Sequence, residues 1–102
     1  MSEVLIIAKK FIKELSRQGY LVNQAFLFGS YAKGNPKSYS DIDVCVVSPK
    51  LGKDFVSETV KLMGISQKVD MRIEPIPFSP ERLNDPFDPL AAEVRKYGIS
   101  VL

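Results

Sequence analysis

A chain of 102 residues with 45% hydrophobic and 25% charged side chains has room for one modest core, and residues 1–102 are expected to form one domain. Its net charge of +2 is too weak to point to nucleic acid or a membrane surface, and no uninterrupted run of about 18 apolar residues could cross a bilayer as a helix. Histidine is absent, which removes imidazole bases, Ser-His-Asp triads and imidazole-bound zinc; the lone cysteine, Cys45, excludes an internal disulfide and fits a reducing cytoplasm. Any metal must therefore be held by oxygen, which favours magnesium or manganese.

Val4, Leu5, Ala8, Phe11, Ile12 and Leu15 recur at helical spacing, with Lys9, Lys10, Lys13 and Arg17 between them as a solvated face, so an amphipathic helix is expected to end near Gly19. Gln24–Phe28 reads as a short apolar strand punctuated by Gly29, followed by one possible helical turn from Tyr31 to Gly34 that Asn35 and Pro36 break. A second strand runs from Asp41 to Ser48. Phe55, Val56, Thr59, Val60 and Met63 return to helical spacing, and that helix is expected to close at Gly64. Val69 to Ile76 alternates as a third strand, kept short by Pro75 and Pro77. Asp88 can cap a last helix with Pro89 at its first position and Gly98 after its last turn. Ile99 to Leu102 adds a short edge strand, and Phe78, Leu83 and Phe87 read as exposed apolar residues near the tail. The pattern predicts an α/β fold: a small mixed sheet with helices packed on it.

Chemistry concentrates in FLFGSYAKGNPKSYSDIDVCVVS, Phe26 to Ser48. Side chains alternate along a strand, so Asp41 and Asp43 share a face with Cα atoms about 7 Å apart. Carboxylates so placed repel each other unless a cation lies between them, and a divalent ion with oxygen ligands at about 2.1 Å suits the spacing. Asp70 opens the third apolar run in the same manner. If that strand is the neighbour, Asp70 can reach the same ion or take the proton from an attacking hydroxyl. Gly29 and Ser30, at a strand-to-turn junction, can offer successive N–H groups and a hydroxyl to an anion, with Lys33 and Lys37 within reach of phosphates. Phosphoryl or nucleotidyl transfer needs little beyond these parts, because its catalysis is mostly positioning and charge neutralisation. Each part also has an ordinary structural role: Gly-Ser as a turn, Asp-x-Asp as the wet face of a strand, Lys33 and Lys37 as surface cations. Cys45 shares the parity of the aspartates and reads as a small buried apolar residue, while Arg72 and Glu74, in phase with Asp70, read as a surface ion pair.

Taken together, GSYAKGNPKSYSDIDV resembles the signature of the polymerase-β-like nucleotidyltransferase superfamily: Gly29, Ser30, Gly34, Ser40, Asp41, Asp43 and Val44 agree with it in order and spacing. The short chain resembles the minimal nucleotidyltransferases of that superfamily. The resemblance implies Asp41 and Asp43 as ligands of one or two Mg²⁺ (or Mn²⁺) ions carrying ATP, Asp70 as third carboxylate, and Gly29, Ser30, Lys33 and Ser40 as nucleotide-binding residues. It further implies a partner, a HEPN-domain toxin, silenced by transfer of AMP from ATP to one of its tyrosines, with this chain as the antitoxin. An acceptor surface is then expected from the partner or from a self-associated dimer. A non-catalytic antitoxin that neutralises its partner by complex formation, and a regulator that binds ATP without transfer, remain open on the sequence alone.

Overall fold

A computed structural model of the protein describes residues 2–37 and 39–102. The elements in chain order are α1 (Ser2–Arg17), β1 (Gln24–Phe28), α2 (Ser30–Lys33), β2 (Ile42–Val47), α3 (Phe55–Val69), β3 (Ile73–Phe78), α4 (Pro80–Leu83), α5 (Pro89–Tyr97) and β4 (Ile99–Ser100). The strands form one mixed sheet in the order β3-β2-β1-β4. β1 runs antiparallel to both β2 and β4, and β2 runs parallel to β3 across α3. The expected α/β architecture is therefore found.

Strand alternation divides the core between two sheet faces. On one, the α1 stripe Val4, Ala8, Phe11, Ile12 and Leu15 packs with Leu62 of α3 against Ala25, Leu27, Ile42, Val44, Val46 and Ile73. On the other, Ala91 and Val94 of α5 and Leu83 of α4 cover Phe28, Cys45, Val47 and Phe78. Cys45 is wholly buried, as its composition suggests, and burial pushes its thiol up to about 12. Phe78 and Leu83 are buried rather than exposed; of the three residues read as surface apolar groups, only Phe87 is in solvent.

The two largest boundary differences from the sequence reading, at the end of α3 and the start of β3, have one cause. α3 does not close at Gly64 but continues to Val69, because Leu62 and Ser66 carry its buried side past the glycine. A glycine inside a helix costs about 1 kcal/mol relative to alanine, which packing overrides. The periodic set Phe55, Val56, Val60 and Met63 is consequently not the core face: all four remain exposed. The extra turn moves the start of β3 from Val69 to Ile73. Asp70 becomes the cap residue that ends α3, its N–H donating to the Ser66 carbonyl at 2.9 Å.

β3 is an edge strand. Ile42 N–H donates to the Arg72 carbonyl (2.8 Å) and Ser48 N–H to the Phe78 carbonyl (3.0 Å), so the even-numbered residues of this segment bond toward β2. The odd positions 73, 75 and 77 then face outward. Two of them are proline, which strips the free edge of two donors and disfavours sheet-to-sheet aggregation.

Candidate active site

The site is built where β1, β2 and β3 present their ends together. In the sheet register Asp43 is opposite Phe28 on one side and Glu74 on the other. Paired residues project to the same face, so Asp43 and Glu74 share a face, with Asp41 one alternation earlier at the mouth of β2. Phe28 walls the group from behind and is buried. Burial, first, and then the charges of Glu74, Asp41 and Glu93 push the Asp43 carboxyl up to about 6. Burial likewise raises Glu74, reinforced by its hydrogen bond to Asp41 and by the Asp41 charge. Both shifts express like charges crowded in a half-dry site.

Asp70 does not belong to this group. Its carboxylate accepts from Arg72 N–H (2.8 Å), Nε (3.1 Å) and Nη2 (3.1 Å), and these bonds hold it below the usual carboxylate range. The third carboxylate beside Asp41 and Asp43 is Glu74, four residues further on. The Arg72–Glu74 ion pair expected from their shared parity is likewise replaced, since Arg72 pairs with Asp70 and reaches Glu3. The signal that marks Glu74 is the run of carbonyl-facing and proline-bearing positions that fixes β3 at Ile73–Phe78; it emerges only once α3 is allowed past Gly64.

Gly29 is required by contact as well as by turn geometry. Its φ of +74° is a conformation that side chains resist, and a Cβ there would come within 2.1 Å of Asp43 Oδ2. Its carbonyl starts the short α2 by accepting from Lys33 N–H at 3.0 Å, and Ser30 opens that turn. Gly29→Ala is therefore expected to lower stability by about 2 kcal/mol or more and to displace the Asp43 carboxylate, read together as a lower urea midpoint and a loss of transfer.

Lys33 is engaged elsewhere than at the junction it was expected to serve. Its ammonium pairs with Glu93 of α5, which raises its pKa, and lies 5.3 Å from the Tyr97 ring. A bound phosphate would have to compete with Glu93 for it. Ser40 closes the turn ahead of Asp41: its Oγ accepts from Lys37 N–H at 2.8 Å, while its own N–H donates to the Lys37 carbonyl at 3.0 Å. Glu93, some sixty residues from Lys33, is a site residue that no local pattern could reveal.

Among the described residues no three His, Cys, Asp or Glu side chains are grouped so that they could hold a metal ion as they stand. The donor set nevertheless suits a hard divalent cation. Asp41, Asp43 and Glu74 offer oxygen only, and their mutual repulsion is what a 2+ charge relieves.

The model of the nucleotidyltransferase domain matches residues 8–90, a span that contains Gly29, Ser30, Lys33, Ser40, Asp41, Asp43 and Glu74, though not Glu93. The chain belongs to the nucleotidyltransferase family. Two Methanocaldococcus jannaschii proteins named as candidate protein adenylyltransferases are similar to it: MJ1215, 46% identical over 74 residues (70% of this chain, 85% of that protein), and MJ0141, 31% identical over 104 residues (97% and 99%). Among solved structures, a toxin–antitoxin complex with AMP-PNP contains a chain of the same fold, with TM-score 0.66 and 21% identity, covering 92% of this chain and 72% of that one. This nucleotidyltransferase has, among its described residues, no helix long and apolar enough to cross a membrane.

Proposed function

We propose that this nucleotidyltransferase is a Mg²⁺-dependent protein adenylyltransferase that moves AMP from ATP to a tyrosine of a HEPN-domain toxin and so acts as its antitoxin. The observation that carries the reading is the cluster Asp41, Asp43 and Glu74. A surface that only bound a partner would gain nothing from crowding three carboxylates together and raising the proton affinity of Asp43 and Glu74 by burial and like charge. The names of the two archaeal relatives support a protein acceptor, and the fold shared with a chain of a toxin–antitoxin complex supports the toxin.

Asp41, Asp43 and Glu74 would hold the ion, whose charge, when bound, neutralises the triphosphate and the departing pyrophosphate. Gly29 and Ser30 receive phosphate oxygens at the turn that begins α2. The tyrosine oxygen bonds to the α-phosphorus; the bond from that phosphorus to the α,β-bridging oxygen breaks, and pyrophosphate leaves with the electron pair. Glu74, which shares the Asp43 face, is the carboxylate placed to take the phenolic proton, whereas Arg72 holds Asp70 away from the site. Intact-mass spectrometry of this chain and a candidate HEPN partner, mixed with Mg²⁺ and ATP, tests the reading. AMP units are expected on the partner and none when Asp41→Asn is combined with Asp43→Asn. A silenced partner of unchanged mass would instead establish neutralisation by binding alone.

A further inference from the structure

Beside the carboxylates an open cleft of about 340 Å³ runs between α3 and the free edge of β3. One of its walls is the α3 stripe Phe55, Thr59, Met63 and Gln67, spaced four apart; Asp41 and Glu74 line it from the site. Around it lie apolar side chains with no packing partner: Val56 is 72% exposed, Val60 64% and Met71 81%. An α3 this apolar on its outer side, in a chain that has already filled both sheet faces, is unusual for a purely solvated helix.

The cleft also has a polar signature. Prolines at 75 and 77 leave the outward edge of β3 rich in carbonyl acceptors and poor in donors. Gln67 Nε2 already leans on the Ile73 carbonyl, at a long 3.4 Å. An occupant must therefore bring N–H donors; Arg72 also lines the cleft, but its charge is met by Asp70, so Asp41 and Glu74 leave the cleft favouring a positive charge. A second copy of this chain in a two-fold arrangement would oppose one acidic cleft to another, which costs free energy instead of gaining it.

Resting on the protein-acceptor reading above, we infer that the α3–β3 cleft is the docking surface for the acceptor protein, gripping a segment that carries apolar side chains, basic side chains and the hydroxyl to be modified. Met63 and Met71 give the surface the adaptable, polarizable contact that a protein segment needs. An apolar segment seated there lies alongside Asp41 and Glu74, so docking and delivery of the hydroxyl are one event.

Fluorescent short peptides with one tyrosine test this, flanked by Leu and Lys, by Leu and Glu, or by Ser and Gly. Their affinity is measured by polarisation for the unaltered protein, for Val60→Lys combined with Met63→Lys, and independently for Met71→Lys. The Leu/Lys peptide is expected to bind best and to lose about tenfold or more in both variants, while AMP-PNP binding in Mn²⁺ and the melting temperature stay the same. Equal affinity for the variants, preference for the Leu/Glu peptide, no binding at all, or a dimer that these substitutions dissociate would each overturn the assignment. The transferase reading fails separately: the Leu/Lys peptide would bind and discriminate among variants, yet neither it nor any partner protein would gain AMP.

Discussion

Asp43→Asn is expected to abolish AMP transfer and, in the metal-free protein, to raise stability. The activity loss follows from removing a carboxylate at the centre of the cluster, and about three orders of magnitude is the scale for losing several kcal/mol of charge stabilisation in such a site. The stability gain has a different origin. The Asp43 carboxyl goes from an ordinary 3.8 to about 6 on folding, mainly because it is desolvated and then because Glu74, Asp41 and Glu93 surround it. A carboxyl raised in this way is tolerated at low pH, where it is protonated in both states, and costs stability as pH climbs from about 4 through 6 and the folded form must ionise it. Roughly two units at 1.4 kcal/mol each, reduced for the solvent that still reaches the group, leave a penalty of about 2 kcal/mol above pH 7.

Asparagine removes that charge at nearly constant shape. In chelator at pH 8, thermal unfolding of Asp43→Asn should come several degrees above the unaltered protein, at about 4–8 °C per kcal/mol for a domain of this size. The difference should shrink toward zero near pH 4. Addition of Mg²⁺ with AMP-PNP should reverse the order, because only the protein with Asp43 gains from the ion. A variant that melts lower than the unaltered protein at pH 8 would contradict the crowding on which the site assignment rests.

How far the sequence discloses all this depends on the range of the physical cause. β1 is legible to the residue because an apolar run meets Gly29, and the positive φ and the contact with Asp43 both demand glycine there. The α5 cap is legible because Asp88 accepts from Leu90 and Ala91 N–H within three residues. Asp41 and Asp43 are legible as a pair because strand alternation is a local property. The end of α3 is not: Gly64 resembles a stop, and Val69-Asp70-Met71 alternates like a strand. The helix persists because Leu62 and Ser66 are buried by contacts from elsewhere in the chain. That one tertiary effect misdirects the choice of third carboxylate, and the same kind of effect hides the bond that Lys33 donates to Glu93.

Glu74→Gln and Asp70→Asn should then separate in opposite directions. Glu74 is beside Asp43 in the β2–β3 register and carries a raised pKa from burial and Asp41. Its glutamine variant keeps the shape, loses one ion ligand and the proton acceptor, and should lower transfer by about 100-fold or more. Its stability above pH 7 should hold or rise, since a crowded charge has gone. Asp70 joins α3 to β3 by accepting three bonds from Arg72 while capping the helix. Asparagine keeps one acceptor oxygen but gives up the charge, so unfolding should come about 1 kcal/mol sooner at neutral pH. Because the Asp70 pKa is lowered on folding, its contribution is present at neutral pH and fades as pH falls through the acid range, and the two proteins should converge there. Transfer by Asp70→Asn, measured well below its melting temperature, should stay within a few-fold of the unaltered protein. If instead Asp70→Asn lost transfer at full stability while Glu74→Gln kept it, the third carboxylate would be Asp70 and α3 would have to end a turn earlier in the working enzyme.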